Sequence, residues 1–152
     1  MIDFKKAVRE AVILCAAAAV LGFTYTSITN QGLFAKESSA TLAPPTIHLT
    51  VAESLFTTGN SLFIDARHSF DFKMGHIKGA INIPLAEYDA MKDAIQALPK
   101  DNPLVIYCDG AECNSSIQFA LRLSSDGFSN AKIFFGGWRE WENAGLPIEH
   151  TQ

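Results

Sequence analysis

Leu104-Val105-Ile106-Tyr107-Cys108-Asp109-Gly110-Ala111-Glu112-Cys113-Asn114-Ser115 is the stretch on which the fold turns. Its first four residues form an unbroken apolar run after the turn residues Asp101-Asn102-Pro103, the form taken by a strand buried on both faces of a parallel sheet. Cys108 closes the strand, Asp109 to Asn114 make a loop, and a helix can begin at Ser115 with Asn114 as its cap. The order of strand, loop and helix puts the Cys108 sulfur beyond a strand's carboxyl end, where open α/β sheets bind their ligands.

The same form recurs on both sides. Leu62-Phe63-Ile64, Ala80-Ile81-Asn82-Ile83 and Lys132-Ile133-Phe134-Phe135 are further short apolar runs set between turn residues. Amphipathic stretches at 85–97, 115–124 and 138–143 predict helices between and after them. Thr50 followed by Glu53 is a capping-box pattern that predicts a helix over 51–57, stopped at Gly59-Asn60. Strands alternating with helices predict an open, mostly parallel sheet with helices on both faces. No internal repeat is visible, and no stretch after Pro45 is low in complexity, so residues 46–150 read as one compact domain.

The first third of the chain differs. Residues 11–35 carry no charge, and 11–28 are dominated by Ala, Val, Leu, Ile and Phe, whereas about 20 apolar helical residues suffice to cross a bilayer core. Lys5, Lys6 and Arg9 precede this run and only Lys36 follows closely. The asymmetry predicts residues 1–10 in the cytoplasm, a span at 11–28, and the domain on the extracytoplasmic, periplasmic side. A cleaved secretory signal is the competing reading, with Ser38-Ser39-Ala40 as a small-residue cleavage site that lies rather far from the apolar run. Leu14 stands where lipoprotein signals carry a small residue, which argues against lipid attachment at Cys15. Residues 29–45, with Ser38-Ser39-Ala40-Thr41 and Pro44-Pro45, read as a linker extended by the paired prolines.

Composition narrows the chemistry. From Glu37 onward there are 8 Lys and Arg against 14 Asp and Glu, so nothing in the charge favours a nucleic-acid partner. The three cysteines are Cys15, inside the apolar run, and Cys108 and Cys113 in the loop, too few for a disulfide framework. Cys-x4-Cys has no second pair and no His-x3-5-His partner, so no metal is expected, and no cofactor either. A loop between strand and helix turns backbone N–H groups toward its first residue and aims a helix N-terminus at the same point, which stabilises a thiolate at Cys108.

The ordered motifs carry a resemblance. Asp65, Arg67, Gly75-His76-Ile77, Gly79-Ala80 and Asn82-Ile83-Pro84 look like the first signature of the rhodanese family. The second is matched by Tyr107-Cys108, by Gly127-Phe128 with Gly136-Gly137-Trp138, and by Trp141 with Ala144-Gly145-Leu146-Pro147. The resemblance covers about residues 46–149 and implies a parallel five-stranded α/β domain. Its loop cysteine would take sulfane sulfur from a small donor, hold it as a persulfide and pass it to a thiol or protein acceptor. Carried over, Cys108 is the sulfur carrier, Asp109, Gly110, Ala111, Glu112, Cys113, Asn114 and Ser115 form the cradle, and Asp65 and Arg67 support it. From the residues themselves, Asp65 and Arg67 are expected to pair and to cap the segment 69–74. His76 is expected to fix its turn by hydrogen bonds, Gly136-Gly137 to let the chain approach the loop closely, and Trp138 and Trp141 to pack the last helix.

Two departures bear on function. Family members that use thiosulfate commonly carry an Arg five positions after the cysteine, and here that position is Cys113, with Asp109 and Glu112 adding negative charge beside the sulfur. Phosphatase and arsenate-reductase relatives of the fold need Cys-x5-Arg, and position 114 is Asn. Cys113 itself either fills a loop position or engages Cys108, as a thiol–disulfide pair or by resolving a persulfide. Three functions stay open at this stage: a sulfurtransferase, a thiol–disulfide redox module using Cys108 and Cys113, and a non-catalytic binding domain.

Overall fold

The computed structural model describes residues 4–29 and 43–151, and the chain divides into two compact units on either side of residue 40. In the first, α1 (Phe4–Thr29) is a single helix of 26 residues, about 39 Å long at 1.5 Å per residue. Its segment Val8–Tyr25 has a mean hydropathy of 1.6 with none of it buried, so α1 is long and apolar enough to cross a membrane. Val12, Leu14, Leu21 and Phe23 are all exposed, and a helix apolar all round has no polar face to turn to water. The expected cleavage motif Ser38-Ser39-Ala40 and the linker from 30 to 42 lie outside the described residues.

The second unit is an α/β domain. Its elements are β1 (Thr46–Ile47), α2 (Leu49–Thr58), β2 (Leu62–Asp65), α3 (Ser69–Met74), β3 (His76–Ile77), β4 (Ile81–Asn82) and a 3-10 turn (Leu85–Glu87). There follow α4 (Lys92–Gln96), β5 (Leu104–Tyr107), α5 (Ser115–Ser125), β6 (Ala131–Phe134), α6 (Gly137–Asn143) and β7 (Ile148–Glu149). Five strands form a sheet in the order β1-β6-β5-β2-β4, and every pairing in it is parallel. Leu62 lies opposite Leu104 and Asp65 opposite Tyr107, so β2 and β5 end level and Cys108 emerges beside the end of β2.

β5 is central and none of its four residues is exposed to solvent. Successive side chains of a strand point to opposite faces. Leu104 and Ile106 accordingly pack with Ile95, Phe119, Leu123 and Ile133 on one face, whereas Val105 and Tyr107 pack with Ala52, Phe63, Phe134 and Trp141 on the other. The two cores explain the unbroken apolar runs, since a strand covered on both faces has no polar side.

Several local expectations shift. The helix α2 starts two residues before the predicted 51, with His48 at its N-cap, and Thr50 sits inside the helix, so the capping box with Glu53 does not form. Pairing of β1 with β6 delivers the chain to that earlier start, and Leu49 gains a place against the core. Gly59 ends the helix at φ 69°, as its residue type predicts. The single helix expected over 85–97 is a 3-10 turn and a short α-helix instead. Pro84 opens the turn, Tyr88 is buried with its hydroxyl donating to Asp126 Oδ2 at 3.0 Å, and Met91, at φ −98° and ψ 21°, interrupts the helical path before α4. The antiparallel pair β3–β7 was not foreseen, because two-residue strands carry no periodicity.

Two buried tyrosines make the domain sensitive to alkali. Burial first, and the charge of Asp65 next, raise the Tyr107 pKa far above its ordinary value, and burial and Asp126 do the same for Tyr88. The unfolded phenols ionise near pH ~10, while the folded ones stay protonated well beyond it. Stability that is fully present below that pH is therefore lost as pH rises through and above it. Thermal melting between pH 8 and 11 should show this loss, and Tyr88→Phe should flatten it.

Candidate active site

Cys108 directly follows β5 and is 1% exposed. The loop it opens is fastened from a distant part of the chain. Trp138 N donates to the Cys108 carbonyl at 2.8 Å, and Arg139 N donates to the Asp109 carbonyl at 3.0 Å. Between these two anchors no side chain fits at Gly137: its φ is 60°, and a Cβ there would meet the Cys108 carbonyl, with Gly110 N at 3.0 Å and the Asp109 carbonyl carbon at 3.1 Å. Gly137→Ala should therefore both force a left-handed alanine and push the loop away, at about 2–3 kcal/mol. A lower melting temperature is the expected result.

Within the loop, Cys113 N donates to the Gly110 carbonyl at 2.9 Å, which turns Cys113 back over Cys108. The two are joined as a disulfide, with Cα atoms 6.3 Å apart. Among the described residues, Cys113 supplies the one amide between Asp109 and Ser116 that bonds another backbone carbonyl. The remaining N–H groups of the loop and the first turn of α5 are thus available to an anion. Ser116 Oγ lies 3.3 Å from Cys108 Sγ and can donate to it, and the Cys113 carbonyl oxygen lies 3.2 Å away on the same sulfur. Asn114 holds the N-cap position of α5 as predicted, but its side chain makes no capping bond, and Ser115 opens the helix. Ala111 and Glu112 are exposed at the loop tip.

An open cleft of about 640 Å³ fronts the loop, lined by Asp109, Glu112, Cys113, Phe135, Arg139 and Glu140 among others. Arg139 pairs with Asp109 at the surface, the arginine exposed and the aspartate half-buried, so the pair contributes little stability. Three carboxylates against one guanidinium leave the cleft net acidic.

Asp65 and Arg67 do pair. The carboxylate accepts from Arg67 N at 2.9 Å, from Nε at 3.1 Å to either oxygen, and from Nη2 at 2.7 Å. Nη2 also donates to the Gly75 carbonyl at 2.7 Å, and the guanidinium lies 4.9 Å from the Trp138 ring. Burial works against the Arg67 charge, but the hydrogen bond and charge of Asp65, together with Tyr107 and Asp109, outweigh it, so the Arg67 pKa ends above its ordinary value. Neither residue caps α3, contrary to expectation; the local ring of His68 does so, accepting from Phe70 N at 3.2 Å. His76 lies in β3 with Nδ1 2.9 Å from the Phe72 carbonyl, its ring stacked on Phe72 at 3.7 Å and Nε2 3.8 Å from Glu149. These contacts fasten α3 to the small sheet and do not bring His76 to the sulfur.

Ser116 and Arg139 were missed in the sequence. A polar residue in the first turn of a helix that follows a cysteine loop is the signal that would have found Ser116, since that turn faces the strand end. Arg139 comes from α6, and no local pattern links it to Asp109.

A parallel α/β domain with a cysteine at the end of its central strand, opening a short loop into a helix, defines the class of fold. The chain belongs to the rhodanese-like domain family, whose model matches residues 49–144. Among curated relatives, the HTH-type transcriptional regulator Rv0324 of Mycobacterium tuberculosis is 36% identical over 110 residues. These cover 71% of this chain but 47% of that protein, so the chain spans about half its length. The thiosulfate:glutathione sulfurtransferase of Homo sapiens is 33% identical over 109 residues, 64% of this chain and 92% of the relative. The crystal structure of the BH2092 protein from Bacillus halodurans superposes with a TM-score of 0.62 at 25% identity, covering 72% of this chain and 79% of that one.

Proposed function

We propose that the protein is a membrane-tethered sulfurtransferase that carries sulfane sulfur on Cys108, on the extracytoplasmic side. The observation that supports it best is the position of Cys108 Sγ, at the end of β5 and in the loop that leads into α5, with Ser116 Oγ of that helix's first turn at 3.3 Å. In the reduced form the Cys108 thiolate attacks the outer sulfur of a small persulfide or polysulfide donor, whose thiolate leaves. The loop N–H groups hold the negative charge of the resulting persulfide. An acceptor thiol, free or on a protein, then takes the outer sulfur and returns Cys108 to the thiolate. Asp65 and Arg67 hold the floor of the site through Trp138, and no metal or cofactor takes part. Residues 1–10 lie in the cytoplasm, 11–28 span the membrane, 29–45 link, and 46–150 form the domain; the basic residues before the span and their scarcity after it support this orientation.

Intact-mass spectrometry and peptide mapping of the reduced Cys113→Ser chain after treatment with an organic persulfide test the reading. This variant, which lacks the second loop thiol, should gain one sulfur atom on the peptide containing Cys108. No gain, or a gain confined to Cys15, would overturn it.

The acidic cleft supports donors of low charge over dianionic thiosulfate. Glu112→Gln should raise kcat/KM for thiosulfate about threefold, as befits a screened repulsion, and leave that for a neutral trisulfide unchanged. Steady-state kinetics at low and high salt check it.

The Cys108–Cys113 disulfide favours a second reading, thiol–disulfide exchange with a partner protein. If reductant adds no free thiols to protein purified under oxidising conditions, that reading falls.

A further inference from the structure

We infer that Cys113 is a resolving cysteine that turns the Cys108 persulfide into free sulfide, so that the domain reduces sulfane sulfur as well as transferring it. This rests on the sulfur-carrier reading above. The Cys113 thiolate attacks Cys108 Sγ, the inner atom of the persulfide. The Sγ–Sγ bond forms as the bond from Cys108 Sγ to the outer sulfur breaks, and the outer sulfur leaves with the electron pair as hydrosulfide, keeping the persulfide proton. The sulfane sulfur is reduced to sulfide, the two cysteines are oxidised to cystine, and no other oxidant is needed. Another turnover requires an external dithiol, which is oxidised as it reopens the pair.

The geometry carries each part of this. The disulfide is the product of the step, and a Cα separation of 6.3 Å lies inside the range such a bond requires. The bond from Cys113 N to the Gly110 carbonyl folds the loop so that the second sulfur faces the first. Cys108 Sγ is fixed as the target by Ser116 Oγ and by the Cys113 carbonyl, at 3.3 and 3.2 Å. Exposure divides the two roles: Cys108 is 1% exposed, while Cys113 is only half-buried and lines the open cleft, where an external dithiol can reach it.

Competition decides the outcome. An outside acceptor thiolate must cross a cleft edged by Asp109, Glu112 and Glu140, which repel an anion. Cys113 is already in place, and a well-oriented intramolecular group acts as if present at a concentration far above any free thiol. The absence of an Arg at position 113 is then no loss of function but the replacement of an oxyanion clamp by a second nucleophile.

Single-turnover loading of the full chain in detergent tests this. The reduced protein and its Cys113→Ser variant are each treated anaerobically with glutathione persulfide, freed of donor on a desalting column, and followed by intact mass and by released sulfide. Wild type should give close to one equivalent of sulfide and end two hydrogens lighter than the reduced protein. Cys113→Ser should hold one extra sulfur atom and release at least tenfold less sulfide. If wild type keeps the extra sulfur as firmly as Cys113→Ser, or if the variant releases sulfide equally fast, the inference is overturned while the sulfur-carrier reading stands. A glutathionyl adduct on Cys113→Ser in place of the single sulfur also overturns it, since the disulfide would then arise by plain exchange. If neither protein takes up sulfur, the sulfur-carrier reading falls and this inference with it.

Discussion

Cys108→Ser should abolish sulfur uptake while leaving the fold intact. A serine hydroxyl is essentially un-ionised at neutral pH and forms no stable bond to sulfane sulfur, so the carrier step loses its nucleophile rather than slowing modestly. Made in the Cys113→Ser background, which retains the added sulfur, the change should lower loading measured by intact mass at least ~10³-fold, to the level of background exchange. Stability should change by about 1 kcal/mol or less, because the buried hydroxyl finds ready partners. Ser116 Oγ and the Cys113 carbonyl oxygen already surround that position at 3.3 and 3.2 Å. Melting curves taken beside the loading assay separate the two effects. A variant that folds normally and loads within tenfold of its Cys113→Ser parent would place the chemistry on another sulfur.

Asp65→Ala should destabilise the domain by about 3–5 kcal/mol, the cost of leaving a buried charge without its partner. Asp65 is fully buried and Arg67 nearly so, and the carboxylate accepts both the Arg67 side chain and its backbone N–H. Alanine leaves the guanidinium with only the Gly75 carbonyl at 2.7 Å and the faces of Trp138 and Tyr107. For a domain of this size the melting temperature should drop by more than about 10 °C. Replacing Arg67 by Met in the same chain should recover part of the loss, since two apolar groups leave no orphaned charge. If Asp65→Ala melts within 3 °C of wild type, the pair is not the support that its geometry describes.

What could be read in the sequence follows physical lines. β2, β5 and β6 announced themselves because strands covered on both faces carry short apolar runs, here interrupted by the buried Asp65 in β2 and the half-buried Lys132 in β6, and the glycine at 59 marked the end of α2 because its φ is positive. β1, β3 and β7 were not legible, since each is two residues long and exists only through a partner far along the chain. Thr50 and Glu53 misled because a capping box is a local preference, and the earlier start set by β1 outweighed it. At the site, the strand–loop–helix order pointed to Cys108 directly. What could not be seen were the contributions of distant elements, the Arg139 pairing and the particular atoms that Gly137 touches. The proximity of Cys108 and Cys113 was legible as a spacing that permits pairing, and the 6.3 Å between their Cα atoms gives that spacing its meaning.

The bonds that seat the active loop run from Trp138 N and Arg139 N to the carbonyls of Cys108 and Asp109, main chain to main chain. Residues 110 to 114 can therefore be exchanged as a cassette without disturbing the frame that presents them, provided that Gly137 is kept. A library of loops grafted onto this one scaffold would vary donor preference while the mount stayed constant, which makes the domain a practical starting point for engineering new sulfur-handling specificities.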